Sequence, residues 1–206
     1  MGPANNAPFQ RRILLAALNL LEAPAGPLLE DFPEDAAESP NENKVPVPPV
    51  DFSRNFLGSK DAVQMQEPLR REIAAMRPWY DTAVAQRKRT TVGISGIAPD
   101  ALADFICSFV KGEQPENPRK DLPIIYSLKF AIEDLKAYYV EAITAQPGQE
   151  ELSSNALQDW FWDETIAGKA ILDLKKILQT DSDKLTGMFA SYFIVPGEIA
   201  RRKGFL

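Results

Sequence analysis

The sequence predicts an all-α protein, a bundle of about five or six helices with an N-terminal helix and an extended proline-rich arm. Apolar residues recur at helical spacing in several long segments. Apart from the short run TTVGI, no segment alternates between apolar and polar residues as a half-buried strand would, and no internal repeat is visible. With 206 residues, 45% of them hydrophobic, the chain is long enough for one well-filled core with extensions.

Residues 1–22 are predicted to form a docking helix. Pro8 suits a first helical turn, and an apolar stripe follows it on one side of the segment. The stripe consists of Ile13, Leu14, Ala17, Leu18 and Leu21. Because an isolated helix of this length is marginal in water, we expect it to dock either on the rest of the chain or on a partner.

Residues 23–60 are predicted to form an acidic, proline-rich arm or linker. Seven of the seventeen prolines lie here, and acidic residues outnumber basic ones. Proline disfavours both helix interiors and central strands, which predicts extended chain that is partly polyproline II. Apolar residues such as Leu28, Leu29 and Phe32 punctuate the arm. A plain spacer does not need them, so we expect parts of the arm to lie against protein.

Residues 61–206 are predicted to form the helical bundle. The first helix of this region contains Pro78, which predicts a kink or a new start, and it ends in a basic run. Further helices are predicted over Pro99–Val110, Pro123–Gln146, Ser154–Gln179 and about Asp181–Val195. The basic tail after Pro196-Gly197 is predicted to be loose.

The longest periodic segment, Ser154–Gln179, contains one unusually placed carboxylate. Projected as a single helix, Glu164 falls in the middle of the apolar arc, one turn before Gly168. The missing side chain of Gly168 is expected to leave space for a small ligand, with Tyr138 and Tyr139 on the facing helix. The alternative is that an Arg, Lys or Tyr satisfies Glu164 and that Gly168 only permits close helix approach.

The chain contains no histidine. This excludes nucleophile systems that depend on a histidine base and nearly all zinc and di-iron sites. A net charge of −6 argues against a general nucleic-acid binder, and no apolar run is long enough to cross a membrane. The single cysteine, Cys107, lies in an apolar run, which predicts an inert thiol in the reducing cytoplasm. Neither a metal nor a cofactor is predicted.

The run RKRTTVGISG contains a second candidate site. Arg87, Lys88 and Arg89, together with the amides of the following loop, have the chemistry of an anion site. The alternative is that these cations complete the last turn of a helix and the glycines allow the exit turn. The run matches neither phosphate-loop nor dinucleotide-binding patterns.

Four runs carry a resemblance to a known family. The segment FQRRILLAALNLLEAPAGPLLEDFPEDA resembles the end of the catalytic region of bacterial proteins related to selenoprotein B of the glycine, sarcosine, betaine and D-proline reductases. The runs RPWYDTAVAQRKRTTVGISG, LKAYYVEAITAQPG and WFWDETIAG resemble a helical extension of such proteins. The family's redox chemistry depends on a selenocysteine or cysteine motif in an α/β domain. Nothing here matches that motif, so no catalytic residue is transferred.

Three functional hypotheses follow. The resemblance implies a non-catalytic accessory subunit or domain whose N-terminal helix and arm engage an α/β reductase subunit. Self-association is the alternative to such a protein partner. The second hypothesis is a stand-alone helical protein that binds a small ligand or protein near Glu164. The third is an autonomous enzyme that uses Glu164 as an acid or base, for which no second catalytic group stands at a recognisable spacing.

Overall fold

The computed structural model describes residues 6–35, 46–47, 62–149 and 152–205. The chain forms two compact units, Met1–Asn43 and Lys44–Leu206. The described residues contain α-helices and short 3₁₀ turns and no β-strand. The predicted all-α class is therefore confirmed. The predictions for the proline-rich arm between residues 36 and 61 fall almost entirely outside the described residues.

The N-terminal unit contains helix α1 (Ala7–Asn19), continued by a 3₁₀ turn at Leu20–Glu22. The Asn6 side chain caps the helix by accepting a hydrogen bond from the Phe9 amide at 3.2 Å. Residues 23–35 form neither helix nor strand and return along α1. We call residues 6–35 the N-terminal hairpin.

The return segment of the hairpin covers only one side of α1. The ring of Phe32 meets that of Phe9 edge to face at 6.0 Å, and Phe9 is buried. One turn further, the Arg12 guanidinium pairs with both carboxylate oxygens of Glu34, at 2.6 to 3.1 Å. Because these contacts occupy the Phe9 and Arg12 side, the leucine side of α1 is left exposed.

The second unit, which we call the body, contains seven α-helices in its described residues. They are α2 (Gln66–Arg87), α3 (Leu102–Val110), α4 (Ile124–Ile143), α5 (Ser154–Glu164), α6 (Ile166–Gln179), α7 (Lys184–Tyr192) and α8 (Gly197–Arg202). Short 3₁₀ turns at Ala62–Met65 and Pro99–Ala101 precede α2 and α3. The prediction of five or six helices is thus slightly low.

The core of the body lies between its two longest helices, α2 and α4, and the shorter helices that surround them. The two long helices pack along each other, and α6 contacts α2, α3 and α7. The central apolar side chains are fully buried. They include Leu69, Ile106, Leu128, Ile132, Leu135, Ile171 and Leu174.

Three predicted boundaries differ from the structure. Ser154–Gln179 is two helices, since Thr165 adopts an extended conformation (φ −97°, ψ 151°) and caps α6. Helix α2 continues through Pro78, so no new helix starts there. The segment after Pro196 forms α8, although a loose tail is predicted, because Ile199 and Ala200 pack into the core.

Candidate functional site

The junction between α5 and α6 brings the most unusual buried groups together. Thr165 separates the two helices, and its hydroxyl accepts a hydrogen bond from the Gly168 amide at 2.9 Å. The same hydroxyl lies 2.6 Å from the Phe161 carbonyl, to which it donates. The hydrogen bonds of the Thr165 hydroxyl therefore end α5 and start α6.

Glu72 of α2 completes the cap of α6 from outside the helix. Its Oε1 accepts from the Ile166 amide at 3.0 Å, and its Oε2 accepts from the Ala167 amide at 3.1 Å. The Tyr139 hydroxyl donates to Oε2 at 2.6 Å. A carboxylate facing the first amides of a helix also lies at the positive end of the helix dipole. We call Glu72, Tyr139 and the amides of Ile166 and Ala167 the buried cap.

Burial sets the protonation behaviour of the buried cap. Loss of hydration raises the pKa of Glu72, although its three hydrogen bonds act in the opposite direction. Burial also raises the pKa of Tyr139 well above its ordinary value, and the neighbouring Glu72 adds to the effect. A phenol with a raised pKa keeps its proton and remains a hydrogen-bond donor. The buried cap is therefore a closed, satisfied arrangement.

The two tyrosines predicted to line a ligand site are both structural side chains of the core. Tyr138 donates to the Ile73 carbonyl at 2.7 Å, and its ring packs on Tyr80 at 4.7 Å. The ring of Tyr139 stands perpendicular to that of Phe161 at 5.5 Å. Both tyrosines are fully buried.

The burial predicted for Glu164 is wrong. Glu164 is the last residue of α5 and is exposed, because the extended Thr165 interrupts the helical phase on which the prediction depended. The space predicted beside Gly168 is also absent, since a Cβ there would lie 2.1 Å from the Phe161 carbonyl oxygen. The alternative role of Gly168, close helix approach, describes this junction. The ligand role of these residues stays a prediction whose expected geometry is missing.

The loop that follows α2 is bound by two carboxylates of α4. Asp134 is fully buried and accepts from the amides of Gly93, Ile94 and Ser95 at 2.8 to 3.1 Å. The Ser95 hydroxyl donates to the same carboxylate at 2.5 Å. An aspartate from the same chain therefore occupies the amides that an external anion would need.

Two turns further along α4, Glu141 binds the start of this loop. Its Oε1 accepts from the amide and the hydroxyl of Thr91, both at 2.7 Å, and its Oε2 accepts from the Thr90 hydroxyl at 2.8 Å. Charged residues are rarely buried, yet Glu141 is buried because this loop folds over it.

The three cations predicted to bind an anion surround the end of α2. Arg87 donates to the Thr144 hydroxyl at 2.8 Å, and Lys88 adopts the left-handed conformation (φ 55°) that ends the helix. Arg89 is exposed. This geometry agrees with the alternative in which these cations complete the last turn of the helix. The anion-binding role of Arg87, Lys88 and Arg89 stays a prediction.

Lys175 is a buried cation of the body. Its ammonium donates to the carbonyls of Ala190 and Ser191 at 2.5 and 2.9 Å, where α7 ends, and it lies 5.6 Å from the ring centroid of Phe205. Burial lowers the pKa of this lysine. An ammonium at the carbonyl end of a helix complements its dipole, so Lys175 ties α6 to α7.

Carboxylates on the surface of the body form ion pairs with neighbouring cations. Arg202 pairs with Asp159 and Asp163, and Lys203 pairs with Asp163. Glu133 pairs with Lys136 at 2.8 Å. Among the described residues, no group of three cysteine or acidic side chains is arranged to hold a metal ion.

Cys107 has the inert environment that its sequence context predicts. The side chain is buried, and burial raises the pKa of its thiol to about 11. Trp160 and Trp162 are buried as well, and Trp79 is partly buried against the core. No described helix has both the length and the apolar character needed to cross a bilayer.

Comparison with known proteins gives no relative from which to transfer a function. The chain matches no family model, no curated protein and no solved structure. The resemblance to selenoprotein B proteins is therefore still a prediction.

Sequence reasoning missed Glu72, although one signal points to it. Glu72 follows Leu69 by three residues and precedes Met76 by four, and both neighbours belong to the apolar stripe of α2. Glu164 was selected because a carboxylate falls in the middle of an apolar arc. The same criterion selects Glu72, which lies in an uninterrupted helix. For Asp134 no such signal exists, because a loop forty residues earlier in the chain covers it.

Proposed function

We propose that this chain is a non-catalytic helical accessory subunit or domain that works by binding other protein chains. The supporting observation is a contrast between its two units. The buried carboxylates of the body are bonded to backbone amides and hydroxyls, and its buried lysine to carbonyls. The hairpin instead presents six exposed leucines within thirty residues. They are Leu14, Leu15, Leu18, Leu21, Leu28 and Leu29.

A unit as small as the hairpin gains little stability from its own core. The contacts between α1 and the return segment include an aromatic pair and an ion pair, Phe9 with Phe32 and Arg12 with Glu34. Exposed apolar side chains concentrated on so small a unit mark a surface that binds protein. In the body, exposed large apolar side chains are spread over a much longer stretch of chain; they are Ile94, Val140, Ile177, Met188, Tyr192 and Phe193 in its residues 62–205 that the structure describes.

The resemblance supplies the proposed partner, an α/β reductase subunit of the selenoprotein B type in the bacterial cytoplasm. The return segment of the hairpin is the proposed contact, since Leu29 is 95% exposed and is followed by Glu30 and Asp31. An apolar anchor beside carboxylates suits an apolar pocket with a basic rim. The redox chemistry belongs to the partner.

The proposal is tested with purified proteins. A selenoprotein B-type reductase from the same organism is mixed with the full chain, with Leu29→Glu and with the control Lys184→Glu, a substitution on the exposed start of α7. We expect the wild type and the control to bind the reductase and Leu29→Glu to bind at least tenfold more weakly, because a carboxylate replaces the apolar anchor.

Two results would overturn the proposal. One is the absence of any complex between the two purified proteins. The other is reductase activity of this chain alone with glycine, sarcosine, betaine or D-proline as substrate.

A further inference from the structure

The leucine side of α1 carries an ordered pattern of exposed residues. Leu14, Leu18 and Leu21 follow the spacing of a coiled-coil seam, and Leu15 flanks it. These four leucines are 48 to 81% exposed. The return segment packs on the other side, at Phe9 and Arg12, so the hairpin itself cannot cover them. We call the exposed face formed by the four leucines the leucine face.

Two charged residues extend this face at opposite ends. Arg11 lies four residues before Leu15, and Glu22 lies four residues after Leu18. Positions three and four apart on an α-helix are neighbours, so Arg11, Leu15 and Leu18 follow one another along α1, and the 3₁₀ turn that continues the helix carries Glu22 beyond Leu18. Both charged residues are exposed, and neither has an ion-pair partner among the residues that the structure describes. The α-helix up to Asn19 and the 3₁₀ turn at Leu20–Glu22 hold them about 18 Å apart, too far to pair within one chain.

This stripe is symmetric about the midpoint between Leu15 and Leu18. When two copies of such a helix lie antiparallel, Leu15 of each copy meets Leu18 of the other, and Arg11 of each meets Glu22 of the other. A parallel arrangement instead places Arg11 beside Arg11 and Glu22 beside Glu22. Charges that flank an apolar seam select the orientation that pairs opposite signs.

We propose that the leucine face binds the leucine face of a second copy of this chain, in an antiparallel pair with two Arg11–Glu22 ion pairs. A two-fold axis makes such a contact self-complementary and closed. The proposal rests on the proposed function in treating the hairpin as the binding element, and it assigns the two sides of the hairpin to different partners. The leucine face binds a second copy, and Leu28 and Leu29 remain for the reductase.

Sedimentation equilibrium of the full chain over a wide concentration range tests the proposal. We expect reversible formation of a species with twice the 22.9 kDa mass of one chain. Leu18→Glu should raise the dissociation constant of the dimer at least tenfold, since it places a carboxylate in both halves of the seam. Leu29→Glu makes the same substitution at an exposed leucine outside the seam and should leave the dimer intact.

A charge exchange tests the antiparallel orientation. Arg11→Glu should weaken the dimer about twofold to tenfold, because it replaces two attractive pairs with two repulsive ones. The double variant Arg11→Glu/Glu22→Arg should restore it, since the opposite charges then meet again with their positions exchanged. Lys184→Glu makes the same change in net charge as Arg11→Glu but lies in the body, and it should have no effect. The far-ultraviolet circular dichroism of each variant should match that of the wild type.

Several outcomes would overturn the proposal. A monomer at all concentrations would show that the face is covered in some other way, for example by the chain's own body. A dimer that withstands Leu18→Glu would use another surface, and failure of the double exchange to restore binding would exclude the antiparallel pair. The reductase experiment is independent of these results. Leu18→Glu should disrupt the dimer and leave reductase binding intact, and Leu29→Glu should do the reverse.

Discussion

The Tyr139 hydroxyl donates a 2.6 Å hydrogen bond to the carboxylate of Glu72, and both side chains are buried between α2, α4 and the start of α6. Replacement of Tyr139 by phenylalanine removes this donor and leaves the packing of the ring unchanged. We expect the free energy of unfolding to fall by about 1.5 to 3 kcal/mol, the range for hydrogen bonds to charged groups. Urea denaturation measures the change. The matched control is Tyr192→Phe, on an exposed side chain, which should change stability by less than about 0.5 kcal/mol.

The pH dependence of stability should report the buried carboxyl group. Because burial raises the pKa of Glu72 above 4.5, its folded form binds a proton more tightly than its unfolded form. Its contribution to stability is therefore complete below 4.5 and is lost as pH rises through the folded-state pKa. We expect the unfolding free energy of the wild type, relative to that of Glu72→Gln, to decrease over this interval and then level off.

Denaturation curves of both proteins at a series of pH values, from about 4 to about 8, provide the measurement. Taking the difference removes the contributions of the other titrating groups. A difference that increases with pH would contradict the expectation. It would mean that the three hydrogen bonds to Glu72 outweigh the loss of hydration.

Among the carboxylates of α4, replacement of Asp134 should lower the free energy of unfolding the most. Its replacement by alanine leaves the amides of Gly93, Ile94 and the buried Ser95 without this acceptor. We expect a loss of about 3 kcal/mol or more, with faster hydrogen exchange at these three amides. The neighbouring Glu133→Ala is the control, since Glu133 is partly exposed and pairs with Lys136 on the surface. Its effect should be under about 1 kcal/mol, and equal effects at both positions would contradict the bonding described.

Two glycines in helices should respond to alanine in opposite directions. At Gly168 a Cβ would lie 2.1 Å from the Phe161 carbonyl oxygen, so the α5–α6 junction must shift. We expect Gly168→Ala to lower the unfolding free energy by about 3 kcal/mol or more. At Gly187 nothing lies within 4 Å of the added Cβ. Gly187→Ala should raise stability by about 0.5 to 1 kcal/mol, because alanine is the better helix former. Thermal denaturation of the two variants distinguishes these signs.

Cys107 should be unreactive while the protein is folded. Its thiol has a pKa of about 11 and a buried side chain, so little thiolate forms at neutral pH and reagents have no access. We expect a colorimetric disulfide reagent to label Cys107 rapidly in denaturant and at least a hundredfold more slowly in buffer. Rapid labelling of the folded protein would show that α3 opens readily.

The helices with strong, uninterrupted periodicity were predictable from sequence. Helix α4 lies within the predicted range Pro123–Gln146, and α1 with its 3₁₀ turn ends at Glu22 as predicted. The break at Thr165 was not predictable from sequence, because apolar residues continue in helical phase across it. The cap from Thr165 to Gly168 competes locally with helix continuation, and the Glu72 carboxylate favours the cap. That carboxylate comes from 94 residues earlier in the chain.

The candidate site was less predictable than the fold, because its decisive contacts are tertiary. Asp134 and Glu141 have the sequence context of solvent-facing residues, and only the loop after α2 buries them. The amides of this loop donate to these two carboxylates of α4. Patterns along a helix describe which side is apolar, whereas a covering loop can bury the polar side as well.

The bonds from Glu72 to the start of α6 also determine how the body can be divided. They join α2 to residues 94 and 95 positions later. A polypeptide that stops before Ile166 would bury a carboxyl group with only Tyr139 as a donor, and one that begins after Glu72 would start α6 without its external cap. Neither part has the complete set of hydrogen bonds, so the body should unfold in a single cooperative transition. During synthesis, the buried carboxylate of α2 can gain its backbone hydrogen bonds only after the start of α6 has left the ribosome.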